Sequence, residues 1–288
     1  MISNSAGARL RSEVDAERPL QIAGTINAYC AMLAEQAGFR AIYLSGAGIA
    51  NASYGLPDLG VTSLEDVLID ARRITAATNL PLLVDADTGW GGELSVARTV
   101  REMTRAGVAG IHLEDQVGAK RCGHRPGKQL VPPEEMIARL QSAVSAKTDP
   151  QFVIMARTDA AAVEGLDAAI HRAQKYVAAG ADMIFAEALT TLDEYRRFTD
   201  AIQVPVLANI TEFGKTPMFT LDELRHAGVR LALYPLTAFR AMSFAAERTY
   251  EVLRKEGTQM SMVDQMQTRD RLYEVLGYLE AERKSTNA

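Results

Sequence analysis

The feature that most constrains this chain is a repeat, in which short apolar runs alternate with helical stretches along most of its 288 residues. Some runs are apolar throughout, such as Phe-Val-Ile-Met at 152–155, which is typical of parallel strands covered by helices. The predicted strands are 20–24, 41–46, 82–87, 110–114, 152–158, 183–188, 206–210 and 231–235. Eight strand–helix units predict an α/β protein with a closed (β/α)8 barrel, the TIM barrel, rather than an open sheet.

The helical stretches begin and end at residues suited to helix termini. Ser63 and Thr220 precede helical stretches as N-caps, and Gly107, Gly180 and Gly228 follow others at positions suited to a left-handed cap. The predicted helices between strands are 64–78, 95–106, 133–147, 166–179, 192–202 and 221–227. A further helix is expected before the first strand.

Beyond the eighth unit the chain continues as a helical tail. Helices are predicted at about 237–255 and 263–284, which is more than one closing helix requires. Leu272, Val275, Leu276 and Leu279 form an apolar stripe that must be buried, either on the chain's own barrel or by exchange between subunits. We predict one domain, residues 1–288, that includes the N-terminal helix and a C-terminal tail from about 258 to 288.

Composition excludes several classes of partner. The formal net charge of −5 provides no electrostatic surface for nucleic acid or for an acidic membrane. Two cysteines in 288 residues argue against a disulfide framework. No run approaches the length of a membrane span, and the first twenty residues lack the apolar core of a secretory signal. We therefore expect a cytoplasmic protein whose partner is a small molecule.

Polar side chains stand where the predicted strands end. In a barrel of this kind the catalytic groups lie at the carboxyl ends of the strands. Six successive strand ends carrying polar groups therefore predict one convergent site. These residues are Tyr43, Ser45, Asp85, Asp87, Glu114, Asp115, Arg157, Asp159, Glu187, Asn209 and Thr211.

The segment Asp85-Ala86-Asp87 indicates a divalent metal site. Side chains two apart on a strand share a face, so we expect both carboxylates on one side. Such a pair repels unless a cation lies between its members, and carboxylate oxygens suit Mg²⁺ or Mn²⁺ rather than zinc. Glu114 on the next strand could complete this site. Asp58, in a loop beside a proline, either joins it or only forms a turn.

Cys122 is the second chemical signal. It lies in the basic run Lys-Arg-Cys-Gly-His-Arg at 120–125, where neighbouring positive charge favours a thiolate that can give and take a proton. The alternative is an exposed thiol without a function. His124 belongs to the same loop, whereas His112 shares a strand face with Glu114 and is expected in the barrel interior. Cys30, among alanine and leucine at helical spacing, is expected to be a buried apolar residue.

Three other chemistries are excluded by missing residues. No lysine stands at a predicted strand end, which argues against a Schiff-base aldolase. Gly-Lys-Thr at 214–216 lacks the upstream glycine of a P-loop, and no Gly-x-Gly-x-x-Gly follows the first strand.

With these motifs the sequence resembles the isocitrate lyase/phosphoenolpyruvate mutase superfamily over nearly its whole length. Lys-Arg-Cys-Gly-His at 120–124 is similar to the signature of the lyase branch, and Asp85 and Asp87 with Asp58 resemble the magnesium site of the superfamily. The short chain and the segment 209–217 are similar to lyases whose tricarboxylic substrate carries an extra methyl group, in propionate breakdown. Ala47 is a mild departure, because the family often has glycine there.

The resemblance implies a role for each matching position. Asp85 and Asp87 would hold Mg²⁺, with Asp58 and Glu114 reaching it through water, and Cys122 and Gly123 would belong to a gating loop at 116–131. The implied substrate-binding residues are Ser45, Gly46, Ala47, Cys122, Gly123, Arg157, Glu187, Asn209, Thr211, Arg240 and Arg269. Phe185, Leu233 and Pro235 would form the apolar patch for the methyl group. Arg269 in the tail fits a homotetramer with exchanged C-terminal helices.

The expected reaction is a retro-aldol cleavage of a carbon–carbon bond. Tyr43 is the candidate base, Arg157 and His124 would stabilise the carbanion, and Cys122 would protonate it. The alternatives are an isocitrate- or oxaloacetate-processing enzyme on the same scaffold, or a barrel that binds carboxylates without catalysis.

Overall fold

A computed structural model of the chain describes residues 4–286. It separates into two compact units, residues 1–237 and 238–288, which are described in turn. Among residues 4–286, none of the helices is both long and apolar enough to cross a membrane.

The first unit is a closed barrel of eight parallel strands in sequence order, which confirms the predicted fold class. The strands are β1 (Leu20–Gly24), β2 (Ala41–Leu44), β3 (Leu82–Asp85), β4 (Gly110–Glu114), β5 (Val153–Thr158), β6 (Met183–Ala186), β7 (Val206–Asn209) and β8 (Leu231–Tyr234). Several predicted strands run one or two residues too far at their carboxyl ends. Ser45, Asp87 and Glu187 therefore lie just beyond the ends of the strands.

Helices surround the barrel, and most of them pack on its outer face. Their bounds are α1 (Ala6–Ala16), α2 (Ala28–Gln36), α3 (Gly46–Tyr54), α4 (Leu64–Ala77), α5 (Glu93–Arg105), α6 (Pro133–Ser145), α7 (Leu166–Ala178), α8 (Leu192–Ala201) and α9 (Leu221–His226). Ser63 and Thr220 form capping boxes with Asp66 and Glu223, as their N-cap positions predict. Helix α3 was not among the predicted helices.

The core has two parts on either side of the sheet. The outer part joins the strands to the helices, and the inner part fills the barrel with residues such as Leu83, Met155 and Leu231. Leu10 and Val14 of α1 belong to the inner part, so the N-terminal helix closes the amino end of the barrel. The opposite, carboxyl end is therefore the end that is open to a ligand.

The second unit is helical, but the long helix predicted at 263–284 is wrong. Helix α10 spans Thr237–Glu256, and a 3-10 helix, Met260–Gln265, is followed by α11 (Arg269–Leu276) and α12 (Tyr278–Thr286). Gly277 has a φ of 61°, the left-handed conformation that ends α11. The rings of Tyr273 and Tyr278 stack across this break with centroids 4.3 Å apart.

Candidate active site

The inner face of the barrel changes from apolar to charged along the strands. On β3 the inward residue Leu83 is followed two positions later by Asp85, and on β5 Met155 is followed by Arg157. The register pairs Asp85 with His112, and Glu114 with Arg157, on neighbouring strands. Alternation within each strand therefore brings the charged groups together at the carboxyl end of the barrel.

Asp85 and Asp87 converge, although not by strand alternation. β3 ends at Asp85, and Asp87 lies beyond it with a φ of 46° in the left-handed region, so the predicted shared strand face is wrong. Both carboxylates nevertheless face Gly46. A Cβ added at Gly46 would lie 3.1 Å from Asp85 Oδ2 and 3.5 Å from Asp87 Oδ1. The backbone N–H of Gly46 donates to Asp85 Oδ2 at 3.1 Å.

Lys120 of the cysteine loop reaches into this acidic cluster. Its Nζ lies 2.5 Å from Asp58 Oδ1 and 2.8 Å from Asp87 Oδ1, and the residue is only 5% exposed. The buried ammonium therefore neutralises part of the negative charge at the barrel mouth. Sequence reasoning placed Asp58 near the site but did not assign Lys120 to it.

The two aspartates differ in protonation behaviour. Burial disfavours the Asp85 carboxylate, but His112, Lys120 and Arg157 outweigh it and hold the pKa of Asp85 at about 2. Burial and the nearby Asp85 charge raise the pKa of Asp87 to about 6, although Lys120 opposes this. The two carboxylates therefore repel one another when both are ionised, and a cation between them would relieve that repulsion.

The carboxylates fit a hard divalent cation. Burial raises the pKa of Glu114 well above its usual range, and its buried Oε1 has no hydrogen-bond partner among residues 4–286. The available donors are carboxylate oxygens, the ligands that Mg²⁺ prefers. Within the described chain, no three His, Cys, Asp or Glu side chains already stand as a closed metal-binding group.

The cysteine loop folds over the strand ends between two anchored points. Gln116 and Leu130 form a β-bridge at its base, and the Gln116 side chain holds the backbone N–H and C=O of Arg121. Cys122 is half-buried and lines a cavity of about 510 Å³ together with Asp58 and Arg125. Along the chain, Cys122 lies two residues after Lys120, which is bound to Asp87, and directly before Gly123.

Gly123 packs directly on two charged strand-end residues. A Cβ at this position would lie 2.4 Å from Arg157 Nη2 and 2.6 Å from Glu187 Cδ, so only glycine fits without movement. Arg157 Nε lies 3.0 Å from Asp159 Oδ2 and 3.5 Å from Glu114 Oε2. The Arg157 guanidinium also lies 5.1 Å from the ring centroid of Phe185.

His124 joins the loop to Glu187 and to the segment after β7. Its Nε2 lies 2.8 Å from Glu187 Oε1, and its Nδ1 accepts the backbone N–H of Lys215 at 3.0 Å. Because Nδ1 is an acceptor here, the ring proton that faces Glu187 is on Nε2. Burial opposes ionisation of Glu187, but Arg157 and His124 hold its pKa at about 2.

Tyr43 and His112 form a buried pair below the carboxylates. Tyr43 Oη lies 2.8 Å from His112 Nε2, and His112 Nε2 lies 3.5 Å from Asp85 Oδ1. Burial lowers the pKa of His112 to about 4, and burial with the Asp85 charge raises the pKa of Tyr43 well above its usual range. Both groups are therefore neutral near pH 7.

The other predicted site residues fall in several places. Ser45, Gly46 and Ala47 form the start of α3, and Ser45 and Gly46 are buried at the barrel mouth. Asn209 donates to Glu187 Oε2 at 3.3 Å, and Thr211 is buried just beyond β7. Leu233 is fully buried inside the barrel, and Pro235 is half-buried after β8. Arg240 and Arg269 belong to the second unit, and their substrate contacts stay predictions.

Lys128 is a functional candidate that sequence reasoning missed. It is the loop's second buried lysine, and its Nζ lies 2.8 Å from Asp159 Oδ1. A lysine in a polar loop carries no local signal of burial. Only the folded loop reveals its partner, 31 positions away.

The class of protein follows from this geometry. A closed (β/α)8 barrel gathers carboxylates, an arginine and a thiol-bearing loop at the carboxyl ends of its strands, as barrel enzymes do. The family model described as phosphoenolpyruvate phosphomutase matches residues 10–254. The chain therefore belongs to the phosphoenolpyruvate phosphomutase family, which confirms the superfamily resemblance.

Individual relatives resemble the chain over nearly its full length. The 2-methylisocitrate lyase of Escherichia coli (strain K12) is 63% identical over 288 residues, which cover 100% of this chain and 97% of the relative. An oxaloacetate acetylhydrolase solved with the inhibitor 3,3-difluorooxalacetate is 32% identical, with a TM-score of 0.92 and coverage of 100% and 98%. A phosphonopyruvate hydrolase solved with oxalate and Mg⁺⁺ is 29% identical, with a TM-score of 0.85 and coverage of 97% for both chains.

Proposed function

We propose that this protein is a magnesium-dependent carbon–carbon lyase that cleaves 2-methylisocitrate into pyruvate and succinate, a step of propionate breakdown in the methylcitrate cycle. The relative that is 63% identical to this chain bears the name of that lyase. The observation that carries the proposal is the folded cysteine loop. In this loop Lys120 lies against Asp87 and Gly123 against Arg157, on either side of Cys122 in the chain, which supports a role for the thiol at this site.

The metal would be held by Asp85 and Asp87, with Asp58 and Glu114 reaching it through water. Carboxylate oxygens, the small Gly46 beside them and the unpartnered Glu114 Oε1 support this assignment. The related phosphonopyruvate hydrolase was solved with oxalate and Mg⁺⁺. When bound, a divalent ion supplies charge stabilisation for the substrate hydroxyl and its neighbouring carboxylate.

The substrate hydroxyl must lose a proton before the bond breaks. Tyr43 is the proposed acceptor, and its own proton has a path because its oxygen lies 2.8 Å from His112 Nε2. Neutral His112 can take that proton as Tyr43 takes the substrate's. The pair therefore acts as a base without a free phenolate, which the buried site disfavours.

Cleavage leaves its electron pair on the carbon that becomes part of succinate. Arg157 and the Nε2–H of His124 are the proposed partners of the negative charge that spreads onto the adjacent carboxylate oxygens. Cys122 then donates its proton to that carbon, which completes succinate, while the other fragment is released as pyruvate. Closure of the 116–131 loop excludes water during these steps.

Binding and specificity are assigned to the surrounding residues. Ser45, Gly46 and Ala47, at the start of α3, would hold a substrate carboxylate, and Asn209 and Thr211 would line the opposite side of the pocket. Phe185, Leu233 and Pro235 would contact the extra methyl group. We further propose that residues 1–288 act as one domain in a cytoplasmic homotetramer with exchanged C-terminal helices, which would bring Arg240 and Arg269 to the substrate.

A side-by-side assay tests the function. Purified protein with Mg²⁺ is expected to release pyruvate from 2-methylisocitrate at a higher kcat/KM than it releases glyoxylate from isocitrate. One methyl group in an apolar pocket contributes only about 1–3 kcal/mol, so residual cleavage of isocitrate is compatible with the proposal. A preference for isocitrate or for oxaloacetate supports the alternative enzymes, and no product from any of the three supports a binding protein.

A further inference from the structure

The cysteine loop is tied to the barrel by one buried ion pair that the proposed chemistry does not use. Nζ of Lys128 donates to the backbone oxygen of Gly123 at 2.6 Å and to Asp159 Oδ1 at 2.8 Å. The side chains of Lys128 and Asp159 are 2% and 0% exposed. Gly123 directly follows Cys122, so the lysine holds the backbone immediately beside the thiol.

Asp159 is a rigid anchor for this contact. Its backbone N–H donates to Asp115 Oδ1 at 3.0 Å, and Asp115 Oδ2 accepts from Thr158 and from Tyr176 of helix α7. The same Asp159 carboxylate accepts two hydrogen bonds from Arg157, at 3.0 and 3.2 Å. The Asp159 carboxylate, whose backbone is held by Asp115, therefore positions both the loop and Arg157.

The ion pair joins the loop to a residue at the end of β5, so it requires the loop to lie against the barrel. A buried ammonium is unfavourable without partners, and Lys128 reaches its two partners, Gly123 O and Asp159 Oδ1, from the folded loop. Opening the loop would separate Lys128 from Asp159 and would release the Gly123 carbonyl. The contact thus favours the closed state over the open state.

We infer that Lys128 is a positioning residue that latches the Cys122 loop onto Asp159 and so fixes the thiol over the site. It touches no group that the proposed reaction changes, and it acts through the backbone at Gly123. The expected effect of Lys128 on turnover rests on the proposed function, whereas its effect on the position of the loop does not.

The test measures loop closure and catalysis separately. In Lys128→Met, Cys122 is expected to react with iodoacetamide about 10- to 100-fold faster than in the wild type, which is the effect of losing a hydrogen-bonded charge pair. The reaction is followed by mass spectrometry of the Cys122 peptide, without substrate. If the lyase assay succeeds, kcat should fall by a similar factor while KM changes by less than about threefold.

The matched control is Lys147→Met, because Lys147 also forms a largely buried ion pair, with Asp182 at 2.7 Å, but not with the loop. It should leave alkylation of Cys122 and kcat unchanged. Lys128→Gln, which removes the charge but retains a donor, serves as a second variant, and circular dichroism verifies folding. Wild-type alkylation rates in both folded Lys128 variants would overturn the latch. Faster alkylation in a protein without lyase activity would support the latch and reject the proposed function.

Discussion

Nζ of Lys120 lies 2.8 Å from Oδ1 of Asp87 and 2.5 Å from Oδ1 of Asp58, where a divalent cation would also be attracted. A metal ion bound at the proposed site would therefore compete with this positive side chain of the cysteine loop for the same carboxylates. Because Lys120 stands two positions before Cys122, this side chain would link the proposed metal site to the loop that carries the proposed proton donor.

Removing the Lys120 ammonium should strengthen metal binding. Lys120→Met leaves the buried carboxylates without their counter-cation, so the protein should bind Mn²⁺ at least about tenfold more tightly. Electron paramagnetic resonance of free Mn²⁺ gives the affinity without an activity assay. Arg121→Met removes the same charge from the neighbouring position, where the side chain lies outside the carboxylate cluster, and should change affinity far less. Unchanged or weaker Mn²⁺ binding in Lys120→Met would contradict the competition.

Gly123 should not tolerate a side chain. An alanine Cβ would lie 2.4 Å from Arg157 Nη2, so the loop or the arginine must move, and a displacement of about 1 Å at an active site costs about 100-fold in rate. We expect that loss of turnover in Gly123→Ala. Gly118→Ala is the control on the same loop, because no atom lies within 4 Å of its added Cβ. Equal activity of the two variants would show that Gly123 packing is irrelevant to catalysis.

Cys122→Ser should retain substrate binding and lose at least about 100-fold in turnover, the usual contribution of a positioned proton donor. Equilibrium binding and steady-state rates of pyruvate release separate the two effects. Cys30→Ser removes the other thiol, which is buried at 6% exposure, and should leave turnover within a fewfold of the wild type. Near-normal turnover in Cys122→Ser would remove the thiol from the mechanism.

The sequence was sufficient for the barrel and for the strand-end charges. Apolar runs identified the strands, and alternation along β4 and β5 determines that Glu114 and Arg157 face inward beside one another. It was insufficient where conformation depends on the loops. The left-handed Asp87, with a φ of 46°, and the ion pairs of Lys120 and Lys128 with carboxylates 62 and 31 positions away have no local sequence signal.

The errors in the predicted helices have a similar origin. Helix α3, Gly46–Tyr54, has two glycines in its first turn, and their low helix propensity conceals an element that tertiary packing stabilises. In the tail, apolar periodicity continues through Gly277, which ends α11 in the left-handed conformation. Periodicity identifies the face of a helix that is buried, but it does not locate every break.

Because of Glu187, the free energy of unfolding should vary with pH in the acid range. Its pKa is about 2 in the folded protein against an ordinary value of 4.5, so the ionised form is stabilised by folding. That stabilisation is fully present above pH 4.5 and is lost as pH falls toward 2. Glu187→Gln should therefore lower the free energy of unfolding by about 3 kcal/mol at neutral pH.

The pH dependence distinguishes this charge effect from a simple packing defect. The difference between wild type and Glu187→Gln, measured by urea unfolding, should shrink by about 1 kcal/mol between pH 6 and pH 4 because the unfolded wild type then gains protons. Glu135→Gln, which removes an exposed partner of Arg139, should cost no more than about 1 kcal/mol and show no such trend. The contrary result is a difference in the free energy of unfolding between wild type and Glu187→Gln that stays constant with pH. That result would mean that packing of the side chain, rather than the ionised carboxylate held by Arg157 and His124, determines the contribution of this residue.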